Sequence, residues 1–559
     1  MKKKCDVVMK GGITSGIVYP GAVCELAKDF RFVNIGGTSA GAIAAALTAA
    51  AEYRRQEGSD AGFAELAALP RWLAGKDHGQ SRLLGLFRAA PDTAAFFEVI
   101  VTYLETKNLR RTLFALLKQF NRFGGMMLAA AAIVIALLVF LADGIGAWMV
   151  VALTLIGALI GYVLAAAIEA VVHLVRVLPQ QGFGISRGEA LTQWLSGEID
   201  KIAAIQGKPL TFGDLAKHGI NLEVMTTNLT HGRPYRMPFE TKAFSFMVEE
   251  MKLLFPESIV NWLTTHGRPM PDGRHRLPEP NDLPVVVAVR MSLSFPVLLS
   301  AVPLWSVDFG RARTEREAER CWFSDGGITS NFPVHFFDKP LPRWPTFAFN
   351  LAEWTDRYHV KGQSIHLPRT NKGGVLEWWT PIHSLVQFLG AIVTTMQNWR
   401  DNMLLRLPGQ RDRIAHVLLE GDEGGLNLAM QEEMIARIAA KGASAAAVLR
   451  ERYSDTPPPD AKLTWRNHKW VRFLALMPAI EEVLASWAEA FGDRTAPPSY
   501  DDLLSGAVPL PGYRNNTARM HATALALLRH VRQDYEGRPF GSVRKRPRPE
   551  PLLRPMPRE

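Results

Sequence analysis

Cysteine is scarce: Cys5, Cys24 and Cys321 are the only three in 559 residues. So few, and so far apart, they build neither a disulfide framework nor a cysteine metal cluster, and the chain suits a reducing compartment. The body of the chain has no Walker-type Gly-Lys-Ser/Thr loop, no zinc-finger spacing and no basic stripe interleaved with aromatics, which argues against nucleic acid as a partner. A net charge of +10 stands beside this, but much of the excess sits in Met1–Lys4 and in the Arg/Pro-rich stretch from Gly541 onward. Basic ends of that kind suit an acidic membrane surface or nucleic acid. The N-terminus, MKKKCDVVMKGG, lacks the apolar run of a cleavable secretory signal.

Long apolar runs, by contrast, are present. Between Met126 and Ile168 the single charge is Asp143. The two runs on either side, 126–142 and 145–168, each approach the ~20 residues that cross ~30 Å of hydrocarbon. The short ADGIG between them predicts a tight hairpin, and basic residues lie outside it rather than in its turn. The positive-inside rule then puts both ends, and all other domains, in the cytoplasm.

Residues 5–9, CDVVM, read as a buried strand, followed by a glycine turn and a helix reaching Glu25–Lys28. A second strand over Phe30–Gly36 runs into GTSAG, and the alanine-rich sequence after it predicts a helix from about Ala40 to Arg55. Strand, turn and helix in that order imply a parallel sheet with crossover helices and ligands beyond the carboxyl ends of the strands. Further strands are expected at 221–229, 283–292, 320–324 and 346–352, and after about residue 375 the pattern becomes helical.

GTSAG, Gly37 to Gly41, fits the Gly-x-Ser-x-Gly nucleophile elbow between a strand and a helix, with Ser39 as the nucleophile. Gly37 and Gly41 leave room where a side chain would strike a neighbouring element. A serine nucleophile needs a base and an oxyanion hole. Two residues compete for the first role: His335, and Asp325, which ends an aromatic stretch and is followed by two glycines. The peptide GGITS itself occurs twice, at Gly11–Ser15 and Gly326–Ser330, with different flanks. Two glycine turns beside a common site explain this better than a duplicated domain.

The segments KGGITSG, GTSAG and DGGITSNFPV resemble, in that order, the oxyanion loop, nucleophile elbow and Asp-Gly-Gly motif of the patatin-like phospholipase family. Weaker likeness extends over 184–195, 210–237 and 287–302, so that the resemblance covers about 5–60 and 180–355. It implies a three-layer α/β/α fold with a central, mostly parallel sheet, and a Ser-Asp dyad without histidine. Carried onto this chain, Ser39 is the nucleophile, Asp325 its base, and the N–H groups around Gly11, Gly12 and Ile13, with Ala40, the oxyanion hole. Ile13 stands where the family commonly has a third glycine, and Ser15 where it has Arg or Lys. No metal or other cofactor is required.

The implied activity is hydrolysis of acyl esters of membrane lipids, of the phospholipase A or lysophospholipase type. An acyltransferase and a catalytically idle membrane scaffold are the alternatives. Arg233 and Arg268, each in a THGRP peptide, are candidate contacts for a lipid phosphate. The expected organisation is a catalytic domain in two parts (1–122 and 179–375), a transmembrane hairpin inserted at 123–178, a helical region at 376–536 and a disordered basic tail at 537–559. Together these imply an integral protein of a bacterial inner membrane, with its catalytic domain in the cytoplasm.

Overall fold

A computed structural model describes the chain apart from residues 1, 78–79, 107, 122–123, 142–144, 374–378, 426, 429, 496, 510–516, 536–539, 541–546, 549–550, 552 and 554–559. The first half contains β1 (Lys3–Met9), α1 (Val18–Leu26), β2 (Phe30–Gly37), α2 (Ala40–Gln56), α3 (Ala61–Ala74), α4 (Gly124–Leu141), α5 (Ile145–Val177), α6 (Glu189–Ala203), β3 (Asn221–Asn228) and β4 (Arg233–Met237). The second contains α7 (Val285–Ser292), β5 (Val302–Val307), β6 (Ala318–Asp325), β7 (Thr346–Glu353), α8 (Leu385–Leu405), β8 (Ile414–Leu419), α9 (Glu432–Arg452), α10 (Trp465–Gly492) and α11 (Thr517–Tyr535). Shorter turns and helices connect them.

One mixed sheet organises these elements, in the order β8-β7-β1-β2-β3-β6-β5, with β4 also paired to β3 and short strands at both edges. Its centre, β8 through β3, is parallel, whereas β6 and β5 join it antiparallel. Helices cover both faces, giving the expected α/β/α arrangement. The central strands are apolar on both faces because both are covered: Cys5 to Met9 of β1 and Thr346 to Leu351 of β7 are all buried. On α2, buried Ala42, Ala45, Ala46 and Ala49 present only methyl groups, which lets the helix lie close to the sheet.

The C-terminal region is helical, as expected, but it also completes the sheet. Ile414–Leu419 forms β8 against β7, a strand not anticipated after residue 375. Its helix α9 crosses α1 at very short range. A Cβ on Gly21 would lie 2.4 Å from the Ala439 carbonyl oxygen, and one on Gly442 would lie 2.0 Å from that of Val18. The expected strand over 283–292 is instead α7. A short apolar run bounded by proline fits a wholly buried helix as well as a buried strand, and every residue from Val285 to Ser292 is buried.

The two apolar runs fold as α4 and α5, packed together as a hairpin. Ile133, Leu137, Met149, Leu153, Ile160 and Leu164 face outward and are exposed. By length and composition one helical stretch among the described residues, Val151–Gln181, is sufficient to cross a membrane; the apolar part of the other helix, Leu128–Leu137, is shorter. The turn with Asp143 lies outside the described residues, as does most of the basic tail from 537.

Candidate active site

Ser39 sits between the end of β2 and the start of α2 with φ 53° and ψ −129°. That conformation is unfavourable for a residue with a side chain and is held by its surroundings. The flanking glycines are sterically required. A Cβ on Gly37 would lie 2.3 Å from the Gly41 carbonyl oxygen, and one on Gly41 would lie 2.3 Å from that of Met9. Ser39 thus stands at the N-terminus of α2, where the helix dipole favours negative charge.

Sheet register explains how a residue nearly 300 positions away arrives there. Val224 of β3 is opposite Gly37 of β2 on one edge and Met237 of β4 on the other. Thr226, two residues further along, is opposite Tyr235 of β4 and Asp325 of β6. Since β4 occupies one edge throughout, β6 takes over the edge that β2 leaves. Ser39 is two residues beyond Gly37, so Asp325 meets it at the point where β2 turns away.

The Asp325 carboxylate is buried. Oδ1 accepts the Gly327 N–H at 2.6 Å, while Oδ2 has no partner of good geometry. Burial pushes the carboxyl up to about 7; the Ser39 hydroxyl and the Gly327 N–H pull the other way without cancelling it. Ser39 Oγ is at present directed at the Gly12 carbonyl, a long contact of 3.4 Å. The arrangement can thus pass a proton from a hydroxyl to a carboxylate whose basicity is tuned close to neutrality.

The two GGITS turns meet physically. Asn331, just after the second copy, accepts the Gly11 N–H at 2.7 Å and the Thr38 hydroxyl at 3.0 Å through its carbonyl. This corrects part of the expected oxyanion hole: the Gly11 N–H is engaged by Asn331, and the Ala40 N–H donates to the Gly12 carbonyl at 3.1 Å. Among the described residues no acceptor takes the Gly12 or Ile13 N–H. A Cβ on Gly12 would lie 2.2 Å from Ser15 Oγ, so this loop is also tightly fitted.

A third segment, the end of α7, steadies both chemically interesting residues. Ser292 Oγ accepts the Ser39 N–H at 3.0 Å, and the Ser294 carbonyl accepts the Asp325 N–H at 3.0 Å. Arg290, fully buried, underpins it by donating to Ser294 Oγ and to the Arg187 and Ser300 carbonyls. These residues lie in a stretch whose family likeness is visible, but nothing in the sequence singles out their bonds.

Among the described residues no histidine hydrogen-bonds to Ser39. His335 packs edge-on to Phe336 and lies near Asp401 of α8, whose carboxylate it influences. The Arg233 guanidinium donates to the Tyr235 hydroxyl at 2.7 Å and stacks over that ring. Arg268 lines a separate cavity with Glu240, His266 and Glu279. Neither arginine hydrogen-bonds to Ser39 or Asp325.

Beside the loop and elbow is an apolar cavity of about 80 Å³ that begins at Ile13 and Ala40 and extends among Leu69, Leu86, Phe87 and Trp194. Its walls suit a hydrocarbon chain next to Ser39.

The chain resembles a known protein over nearly its full length. A protein of Rhizobium meliloti (strain 1021) described as "RpoH suppressor" is 34% identical, with 99% of each chain covered. The model of a family described as patatin-like phospholipase matches residues 7–338, more than half of the chain and the whole span from the first glycine turn to Asp325 and beyond. The chain belongs to the patatin-like phospholipase family.

Proposed function

We propose that this protein hydrolyses acyl esters of membrane lipids, as a phospholipase A or lysophospholipase, through Ser39 and Asp325. The observation that carries the reading is the handover of one edge of β3 from β2 to β6, which sets Asp325 beside the elbow serine. Asp325 takes the Ser39 proton as Oγ attacks the acyl carbonyl, and the Gly12 and Ile13 N–H groups bind the resulting oxyanion. The proton passes to the departing alcohol oxygen, leaving the acyl chain on Ser39 and in the adjacent apolar cavity. Water then attacks the acyl-enzyme and gives its proton to Asp325, which returns it to Ser39 as the fatty acid leaves. The α4–α5 hairpin anchors the protein in a membrane so that lipid travels only a short way to the site. Because the two residues act as one unit, Ser39→Ala, Asp325→Ala and the double variant should each lower esterase turnover by roughly 10³-fold or more, without addition. Full turnover in Asp325→Asn, or a larger loss in His335→Ala, would overturn the dyad.

A further inference from the structure

Helix α8 (Leu385–Leu405) lies beyond the residues the family match covers, and among its described residues it is buried against the rest of the chain only near its C-terminal end, at Asp401. Leu385, Phe388, Ile392, Met396, Trp399 and Met403 recur at spacings of three and four, so they form one stripe about 27 Å long at 1.5 Å per residue. In a soluble protein such a stripe faces the core. Here it faces outward: Ile392, the least exposed of the six, is 43% accessible and Leu385 is 71%. From Leu385 to Trp399 there is no charged residue; Arg400, Asp401 and Arg406 follow.

The opposite face is polar, with Gln387, Thr394, Asn398 and Asp401 at about 100° steps. Asp401 is buried, and its carboxylate accepts the Ser330 hydroxyl and the Phe332 N–H, both at 2.8 Å. These two residues flank Asn331, whose carbonyl holds Gly11 and Thr38. Lys10, which precedes the first glycine turn, also acts on Asp401 electrostatically. The helix is therefore fastened at Asp401 to the chain that joins all three motifs, while its apolar stripe is bare.

We infer that α8 docks on a lipid bilayer, lying in the plane of the interface with its apolar stripe among the acyl chains, and so seats the Ser39–Asp325 site against the lipid surface. The inference rests on the reading of that site as a lipid hydrolase: a site whose substrate is held in a bilayer must have a face that meets one. The stripe has the makeup of an interfacial helix. Exposed Trp379 precedes it and exposed Trp399 lies near its end, in the manner of headgroup-level aromatic anchors. Among the described residues α8 is not a helix long and apolar enough to span, and a helix with one apolar and one polar face suits the plane of the interface.

The test places an environment-sensitive fluorophore at Met396→Cys, or at Thr394→Cys on the opposite face, in the full chain. Unsubstituted protein corrects for labelling of the native cysteines. Each sample is mixed with phosphatidylcholine and phosphatidylglycerol vesicles with and without brominated acyl chains. Docking predicts a blue shift at Met396→Cys and quenching by the brominated lipid several-fold stronger than at Thr394→Cys. Equal quenching at both positions, or none at Met396→Cys, overturns it; a label shielded from aqueous iodide yet untouched by brominated lipid also overturns it and assigns the stripe to a second copy or another protein. Phospholipid turnover in the same samples separates the two claims. Quenching without turnover sinks the hydrolase reading alone, and turnover without quenching sinks the docking alone.

Discussion

Ser39 bears the strain of φ 53° in a position where a side chain is disfavoured, at a cost of about 1–3 kcal/mol. Glycine would relieve that strain, and its greater freedom in the unfolded chain takes back about 0.4–1 kcal/mol. Ser39→Gly is therefore expected to raise stability by about 1 kcal/mol over Ser39→Ala while both abolish turnover, measured by thermal unfolding of the two variants. No difference between them would mean that the elbow is unstrained. As the proposed base, Asp325 gives turnover a predicted pH dependence. With its carboxyl held up at about 7, the ionised base is present above that pH and lost below it. On a soluble ester, kcat/KM should fall about tenfold per unit below pH 7 and level off above it; a plateau persisting to pH 5 would show an unperturbed carboxylate or a different base. At this scale the sequence marked Ser39 and Asp325 as candidates because glycine spacing marks where backbones crowd. It could not show that Gly11 and Ala40 have their N–H groups engaged, since a glycine reveals freedom of the chain and not which acceptor its amide meets.

Among the elements, α2 was legible from its alanines and β1 from its short, mostly apolar stretch before a glycine turn, whereas the sequence of α7 reads as a strand. Val285 to Val289 has the composition of a buried strand, and only the tertiary setting decides between the two. The buried Arg290 in α7 departs from both patterns. Arg290→Met should destabilise the protein by about 1–3 kcal/mol or more, because it leaves Ser294 and two carbonyls without their buried donor. Arg290→Lys should recover part of that loss, read as a denaturant midpoint; equal midpoints for Met and wild type would show the bonds to be unimportant. Strand β8 was missed because IAHVLL is short and surrounded by helical sequence. Its companion α9 touches α1 through Gly442, where a methyl group would meet backbone. Gly442→Ala should lower stability by about 1–3 kcal/mol and speed proteolytic release of the C-terminal region, while a protein indistinguishable from wild type would mean that the two helices separate without consequence.

For the molecule as a whole, the sheet brings together three peptides scattered from residue 10 to residue 332, and the hairpin and α8 are attached to that frame. The family resemblance makes the frame readable in the sequence, because the glycine turns keep their order. The bonds of the frame to α8, β8 and α9 were not readable, since that region lies beyond the family match and its contacts are formed by ordinary side chains such as Asp401. Replacing 124–170 by a Gly/Ser linker should yield a protein that leaves the membrane fraction, still cleaves short-chain soluble esters and loses most activity on bilayer phospholipid; wild-type protein in the cytosolic fraction would contradict the anchor. Whether Ser39 and Asp325 form one catalytic unit is read from covalent labelling with a fluorophosphonate, followed by peptide mass mapping and rate measurement. A single adduct is expected on Ser39, formed at the wild-type rate in His335→Ala and at least a hundredfold more slowly in Asp325→Asn, in line with the loss of a general base. An adduct on another serine, or an unchanged labelling rate in Asp325→Asn, would contradict it.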